Sequence, residues 1–156
     1  MSDVLHGGCL CGAVRYETKC VSHKIVNCHC SMCRRHSGAA FLTYAAYSKK
    51  DVRFTKGTPT DYQSSADAVR SHCGVCGSPL TFVFNSDPET IWLTIGSFDH
   101  PNKVKPSENW YVADKLDWVS LDETLPQWLG APEWLGNAKT LLYWCPRHES
   151  NVWPSP

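Results

Sequence analysis

The sequence predicts a mainly β domain of short antiparallel strands, tied by metal-binding cysteine knuckles and closed by a C-terminal helix. Three observations carry this. Short runs rich in β-branched and aromatic residues recur along the first three quarters of the chain. Glycine and proline punctuate them. The nine cysteines gather into close pairs and a triple rather than spreading evenly.

In order, the expected strands are AVRYE (13–17), KIVNC (24–28), FLTYAA (41–46), AVRSHC (68–73), LTFVF (80–84) and IWLTIG (91–96). KGTP (56–59) and SDPE (86–89) read as turns between them. Many short strands with turns point to an antiparallel body over about residues 7–120. The last quarter changes character. Pro132 can open a helix, and Trp134, Leu135, Ala138, Leu141, Leu142 and Cys145 then recur on one helical face until Pro146 ends it.

A chain of 156 residues suits one domain with a small appendage and can bury a true core. Apolar residues make up 42% and aromatic residues 12%, which excludes a disordered chain. Fifteen basic residues cancel fifteen acidic ones. That balance argues against nucleic acid or an acidic membrane as a partner held by bulk charge. The start, MSDVLHGGCLCG, lacks the basic and apolar regions of a signal peptide, and no apolar run approaches a membrane span. The expected location is cytoplasmic, where disulfides are rare and clustered cysteines point to metal.

By spacing, Cys9 and Cys11 form C-x-C, Cys28, Cys30 and Cys33 form C-x-C-x-x-C, and Cys73 and Cys76 form C-x-x-C; Cys20 and Cys145 stand alone. A C-x-C pair can grip one ion only through a turn or kink, because residues i and i+2 of a regular strand lie too far apart. Glycines surround both outer pairs. HCGVCGS (72–78) reads as a zinc knuckle, and Cys9, Cys11, Cys73 and Cys76 make a closed four-thiolate structural site. The central triple then stands apart. It is either a catalytic zinc with three protein ligands and one open position, or a second structural site completed by His29, His36 or His72. Thiolate-rich zinc is a weak Lewis acid suited to holding another thiolate, so an open position invites a thiol substrate. Arg34 and Arg35 could pair with that substrate's carboxylates, or form a solvated basic pair. Three ligands leave this site the more open, so it is expected to lose metal first.

GGCLCGAVRYE (7–17), CHCSMCRRHSGAAF (28–41), HCGVCGSPL (72–80) and IGSFDHP (95–101) resemble, in order and spacing, the glutathione-dependent formaldehyde-activating enzyme family, which includes the centromere protein V relatives. The resemblance runs over about residues 5–128, leaving 129–156 as a helical extension and tail. It implies a β-tent fold and two zinc ions. Cys9, Cys11, Cys73 and Cys76 match the structural ligands, and Cys28, Cys30 and Cys33 the catalytic ones. It also implies carbon–sulfur lyase or synthase chemistry, in which a thiol such as glutathione adds to formaldehyde or another small carbonyl. Asn109 departs from the family's usual histidine, and Asp114 from its usual small hydroxyl residue.

Two rival expectations remain. One is a noncatalytic, zinc-scaffolded binding module. The other is a thiol oxidoreductase using Cys33 or Cys20.

Overall fold

The computed structural model describes residues 4–19, 22 and 24–132. The expected C-terminal helix lies outside the described residues, as do Cys20 and Cys145. The architecture is mainly β, as the strand pattern predicts. In order it comprises β1 (Leu5–Gly8), β2 (Arg15–Thr18), β3 (Lys24–Cys28), α1 (Ser31–Ser37), β4 (Leu42–Ser48), β5 (Val52–Lys56), β6 (Thr60–Ser65), β7 (Ala68–His72), β8 (Pro79–Phe84), β9 (Asp87–Thr94), β10 (Glu108–Trp110) and β11 (Gln127–Trp128). Short 3-10 turns join several of them.

Two sheets result. A small one has the order β1-β2-β5, and a large one runs β11-β10-β3-β4-β9-β8-β7-β6. Gly7 forms an isolated bridge to Phe98 and so ties the small sheet to the end of β9's extension. Pairing is antiparallel throughout the meander, as expected. The exception is β10, which pairs parallel with both β3 and β11. Its three residues arrive after a long connection, and parallel neighbours need such a crossover.

Strand chemistry follows from the pattern. In β3, Ile25, Val26 and Cys28 are buried while Lys24 and Asn27 are half-buried. Register with β4 sets Val26 opposite Tyr44 and Cys28 opposite Leu42. The turn at KGTP appears where expected, with Gly57 at φ 62. At 86–89 the turn is tighter than the sequence implies, because β9 already begins at Asp87.

The interior forms two apolar clusters. One gathers Leu5, Tyr16, Leu80, Leu93 and Phe98 around Cys9 and Cys73. The other gathers Val26, Tyr44, Phe82, Trp92 and Trp110 around Cys28, Cys30 and Cys33. Each cysteine group is thus seated on its own packed base. No helix among the described residues is long and apolar enough to cross a membrane.

Candidate metal centres and their surroundings

None of the seven described cysteines is in a disulfide. The fold brings them into the two groups that spacing predicts. The sulfurs of Cys9, Cys11, Cys73 and Cys76 lie within 4.8 Å of one another, and so do those of Cys28, Cys30 and Cys33. Both groups could hold a metal ion.

The outer group is built by two knuckles facing each other. The Cys9 sulfur is 3.6 Å from that of Cys11, which is 3.8 Å from that of Cys73. A tetrahedron with zinc–sulfur bonds of about 2.3 Å has edges of about 3.8 Å, close to these two separations, so the donor set suits that ion. Backbone contacts fix the loops. The Val14 amide points at the Cys9 sulfur, and the Leu10 amide donates to Ser78 of the opposite knuckle. In the second knuckle, the Gly77 amide donates to the Cys73 carbonyl at 2.8 Å. The Ser78 hydroxyl and then its amide hold the Cys76 thiol down at about 5. Cys11 is pushed up to about 11: the Ala13 amide works against this, but local desolvation and the neighbouring sulfurs outweigh it. Cys76 is therefore the readier of the two to carry negative charge, and Cys11 the less ready.

Gly77 has φ 76, with open space where a Cβ would stand. Its Gly77→Ala penalty is therefore conformational, about 1 kcal/mol. We expect a fall of about 3 °C in melting temperature, read from a thermal melt.

The central group sits where β3 passes into α1. Cys28 ends the strand, Cys30 caps the helix with its sulfur 3.4 Å from the Cys33 amide, and Cys33 lies on the helix's buried side. All three are at most 1% exposed. Gly38, at φ 69, closes the helix through the Arg34 carbonyl. Burial raises the Cys28 thiol. Burial acts on Cys33 as well, but the Cys28 and Cys30 thiols and the Arg70 guanidinium overcome it and hold Cys33 well below its ordinary value. Among the described residues, no fourth His, Cys, Asp or Glu donor joins the three within the same reach.

The structure thus distinguishes openness in coordination from openness in space. The central site has no fourth donor among the described residues but is buried, whereas Cys11 is exposed and Cys76 half-buried. That burial argues for slower chelator access to Cys28, Cys30 and Cys33, against the expectation that the central metal leaves first. Under brief chelation with alkylation, Cys11 and Cys76 are expected to label before Cys28, Cys30 and Cys33. Mass spectrometry of the digested protein reads the order.

Next to Cys28 lies an apolar cavity of about 10 Å³ lined by Val26, Tyr44, Phe82, Phe84, Trp92 and Trp110. It has room for a single water-sized group. Trp110 reaches it from β10, directly beside Cys28 in register. Its indole N–H donates to Glu108, which pairs with Lys24. The following residue, Tyr111, is held at φ 57, a left-handed conformation that a bulky residue adopts only under constraint.

The other expected residues separate. Arg34 Nε donates to the His29 carbonyl at 3.3 Å, and Arg35 is exposed. Ser37 donates to the Cys33 carbonyl and so supports the helix. His29 is buried against Phe41, with both ring nitrogens lacking a hydrogen-bond partner. Burial, and then the charges of Lys115 and Arg34, hold it below its ordinary pKa against the effect of Asn109. Asn109 accepts from Asn27, which in turn accepts from Thr43. Asn109 is thus part of a polar ladder on β3, β4 and β10.

Sequence reasoning missed Arg70. It is 1% exposed on β7, with Nη2 3.7 Å from the Cys33 sulfur. No local motif marks it, because 37 residues separate the pair along the chain.

Comparison with known proteins adds the following. Residues 4–114 match the family model described as glutathione-dependent formaldehyde-activating enzyme. An uncharacterised lyase of Schizosaccharomyces pombe is 28% identical over 76% of this chain and 93% of its own. A Halomonas elongata protein, provisionally named a glutathione-dependent formaldehyde-activating enzyme, is 26% identical over 76% of this chain and 82% of its own. A solved Rhodobacter sphaeroides protein aligns over 79% of this chain and 98% of its own, at 24% identity with a TM-score of 0.49.

Proposed function

The chain belongs to the glutathione-dependent formaldehyde-activating enzyme family, and from that premise we propose that it is a zinc-dependent carbon–sulfur lyase or synthase, adding a thiol such as glutathione to formaldehyde or another small carbonyl. The observation that carries this reading is the buried central triple: three convergent sulfurs, with no fourth donor among the described residues, beside a cavity of one-group size.

We assign Cys9, Cys11, Cys73 and Cys76 to a structural zinc and Cys28, Cys30 and Cys33 to a catalytic one. Three thiolate ligands and one open position suit a metal that binds and ionises a substrate thiol near neutral pH. The chain's own residues do the rest. The packed base around Cys28 holds the sulfurs rigid, and reacting groups fixed in place gain from orientation alone. Tyr44, Phe82, Trp92 and Trp110 exclude bulk water from the space beside Cys28 and limit a carbonyl to very small size. Arg34 and Arg35, at the α1 surface, would take the carboxylates of an anionic thiol. The reaction forms one carbon–sulfur bond as the thiol proton passes to the former carbonyl oxygen. The working domain would span about residues 5–128 with 129–156 as an extension, and the site of action would be the cytoplasm, where thiols stay reduced.

The test is a glutathione titration of the zinc-loaded protein followed at the zinc edge. The expected result is one added sulfur at half of the metal. A central zinc that keeps four protein ligands, unchanged by thiol, would overturn the assignment.

Exposed Leu10 and Val75, 91% and 79% accessible at the two knuckle tips, favour the second reading, a zinc-scaffolded binding module. Replacing both with serine separates the two: a binding module loses its partner, whereas an enzyme keeps its turnover.

A further inference from the structure

The central triple carries a charge problem that its own ligands do not solve. Three thiolates and one divalent cation sum to a net charge of −1, and a thiolate substrate would take the buried cluster to −2. Burying uncompensated charge is strongly unfavourable.

Arg70 stands at this point of the fold. It lies on the inward face of β7, opposite Phe82 in register, and its guanidinium carbon sits 4.9 Å over the Phe82 ring. One edge donates to the Ser64 hydroxyl, which itself donates to the Ala68 carbonyl at 3.1 Å. The other edge presents Nη2 to the Cys33 sulfur at 3.7 Å. The buried Tyr44 hydroxyl lies beside it. A flat, permanently charged group is thus clamped from below and from one side, and its remaining edge faces sulfur. Lysine, a flexible point charge, could supply the charge but not the clamp.

We propose that Arg70 is a positioning residue of the central site, a fixed cation that neutralises the three-thiolate metal cluster through Cys33 and so allows it to accept one further anionic ligand. This rests on reading Cys28, Cys30 and Cys33 as a metal site. The role differs from that expected of Arg34 and Arg35. Those sit at the surface for substrate carboxylates, whereas Arg70 never needs to touch the substrate. The same strand also runs on to Cys73, so one element places the cation at the central cluster and a ligand at the outer one.

The experiment uses cobalt in place of zinc, because sulfur-to-cobalt absorption reports the ligand field directly. Wild-type protein is expected to take up two cobalt ions per chain, and uptake of only one would sink the metal-site reading itself. Arg70→Met is expected to retain the outer ion and weaken the central one by about 10- to 100-fold against a chelator, the usual scale for loss of a ligand's supporting partner. Titration with 2-mercaptoethanol should then fail to shift the remaining central band. Arg70→Lys should recover part of both. Wild-type affinity and thiol response in Arg70→Met would overturn the proposal while leaving the metal site standing. If neither variant folds, nitrogen-15 spectra of the wild-type arginine side chains decide. A buried guanidinium signal that moves when metal is removed and returns on reloading supports the proposal; one indifferent to metal refutes it.

Discussion

Cys73→Ser is expected to be strongly destabilising. Cys73 is 1% exposed, its sulfur belongs to the outer four, and its amide and carbonyl both close the knuckle turn. Structural zinc binds model knuckles with roughly 10–16 kcal/mol of apparent free energy. One thiolate of four accounts for about 3 kcal/mol of that, and the whole stability of a domain is only about 5–15 kcal/mol. The melting temperature should therefore fall by about 10 °C or more, with one metal ion per chain remaining. The matching change at the rim, Cys11→Ser, removes a ligand from an exposed position and should cost less, because water can take the vacated place. Thermal melts with metal analysis on both variants check the order. A Cys73→Ser protein that melts with the wild type would mean the outer four do not hold a structural ion.

Why the outer site was legible in sequence, and the central one only half so, has a physical basis. A knuckle is local: cysteine, tight turn, cysteine and glycine specify their own geometry within a few residues. Two such motifs need only to meet, and the burial of Leu5, Tyr16 and Phe98 between them ensures that. The strand KIVNC was likewise recoverable because its apolar side chains decide its burial. The central cluster's surroundings are non-local. Trp110 comes from a three-residue strand too short to announce itself, placed beside Cys28 by a parallel pairing. Arg70 sits in a strand whose composition does not say which face turns inward. The two arginines adjoining the motif drew notice instead, although Arg35 is exposed and Arg34 leans on a backbone carbonyl. Proximity in sequence is a poor guide to charge balance in a buried site, which register between distant strands sets.

The second large effect is expected from Cys33→Ser. On the proposed function it should leave one metal ion per chain and lower carbon–sulfur activity by ~10³-fold or more, since one of the three sulfurs assigned to the catalytic zinc is lost. Metal content tells this apart from a redox role, because a redox thiol could be lost without the ion. The variant has a further consequence specific to this fold. Cys33 is the sulfur that Arg70 faces at 3.7 Å, and both groups are buried. Removing the anion strands the cation, and breaking such a buried pair costs about 3–5 kcal/mol. Cys33→Ser should therefore be less stable than Cys28→Ser even after all metal is stripped from both. Adding Arg70→Met to Cys33→Ser removes the stranded charge, so the double variant should melt higher than the single one. That coupling, obtained from the four melts of a double-mutant cycle, separates the pair's electrostatics from the loss of metal. Strict additivity would show that the two groups do not sense each other, and that the helix packing around Cys33 alone governs its contribution.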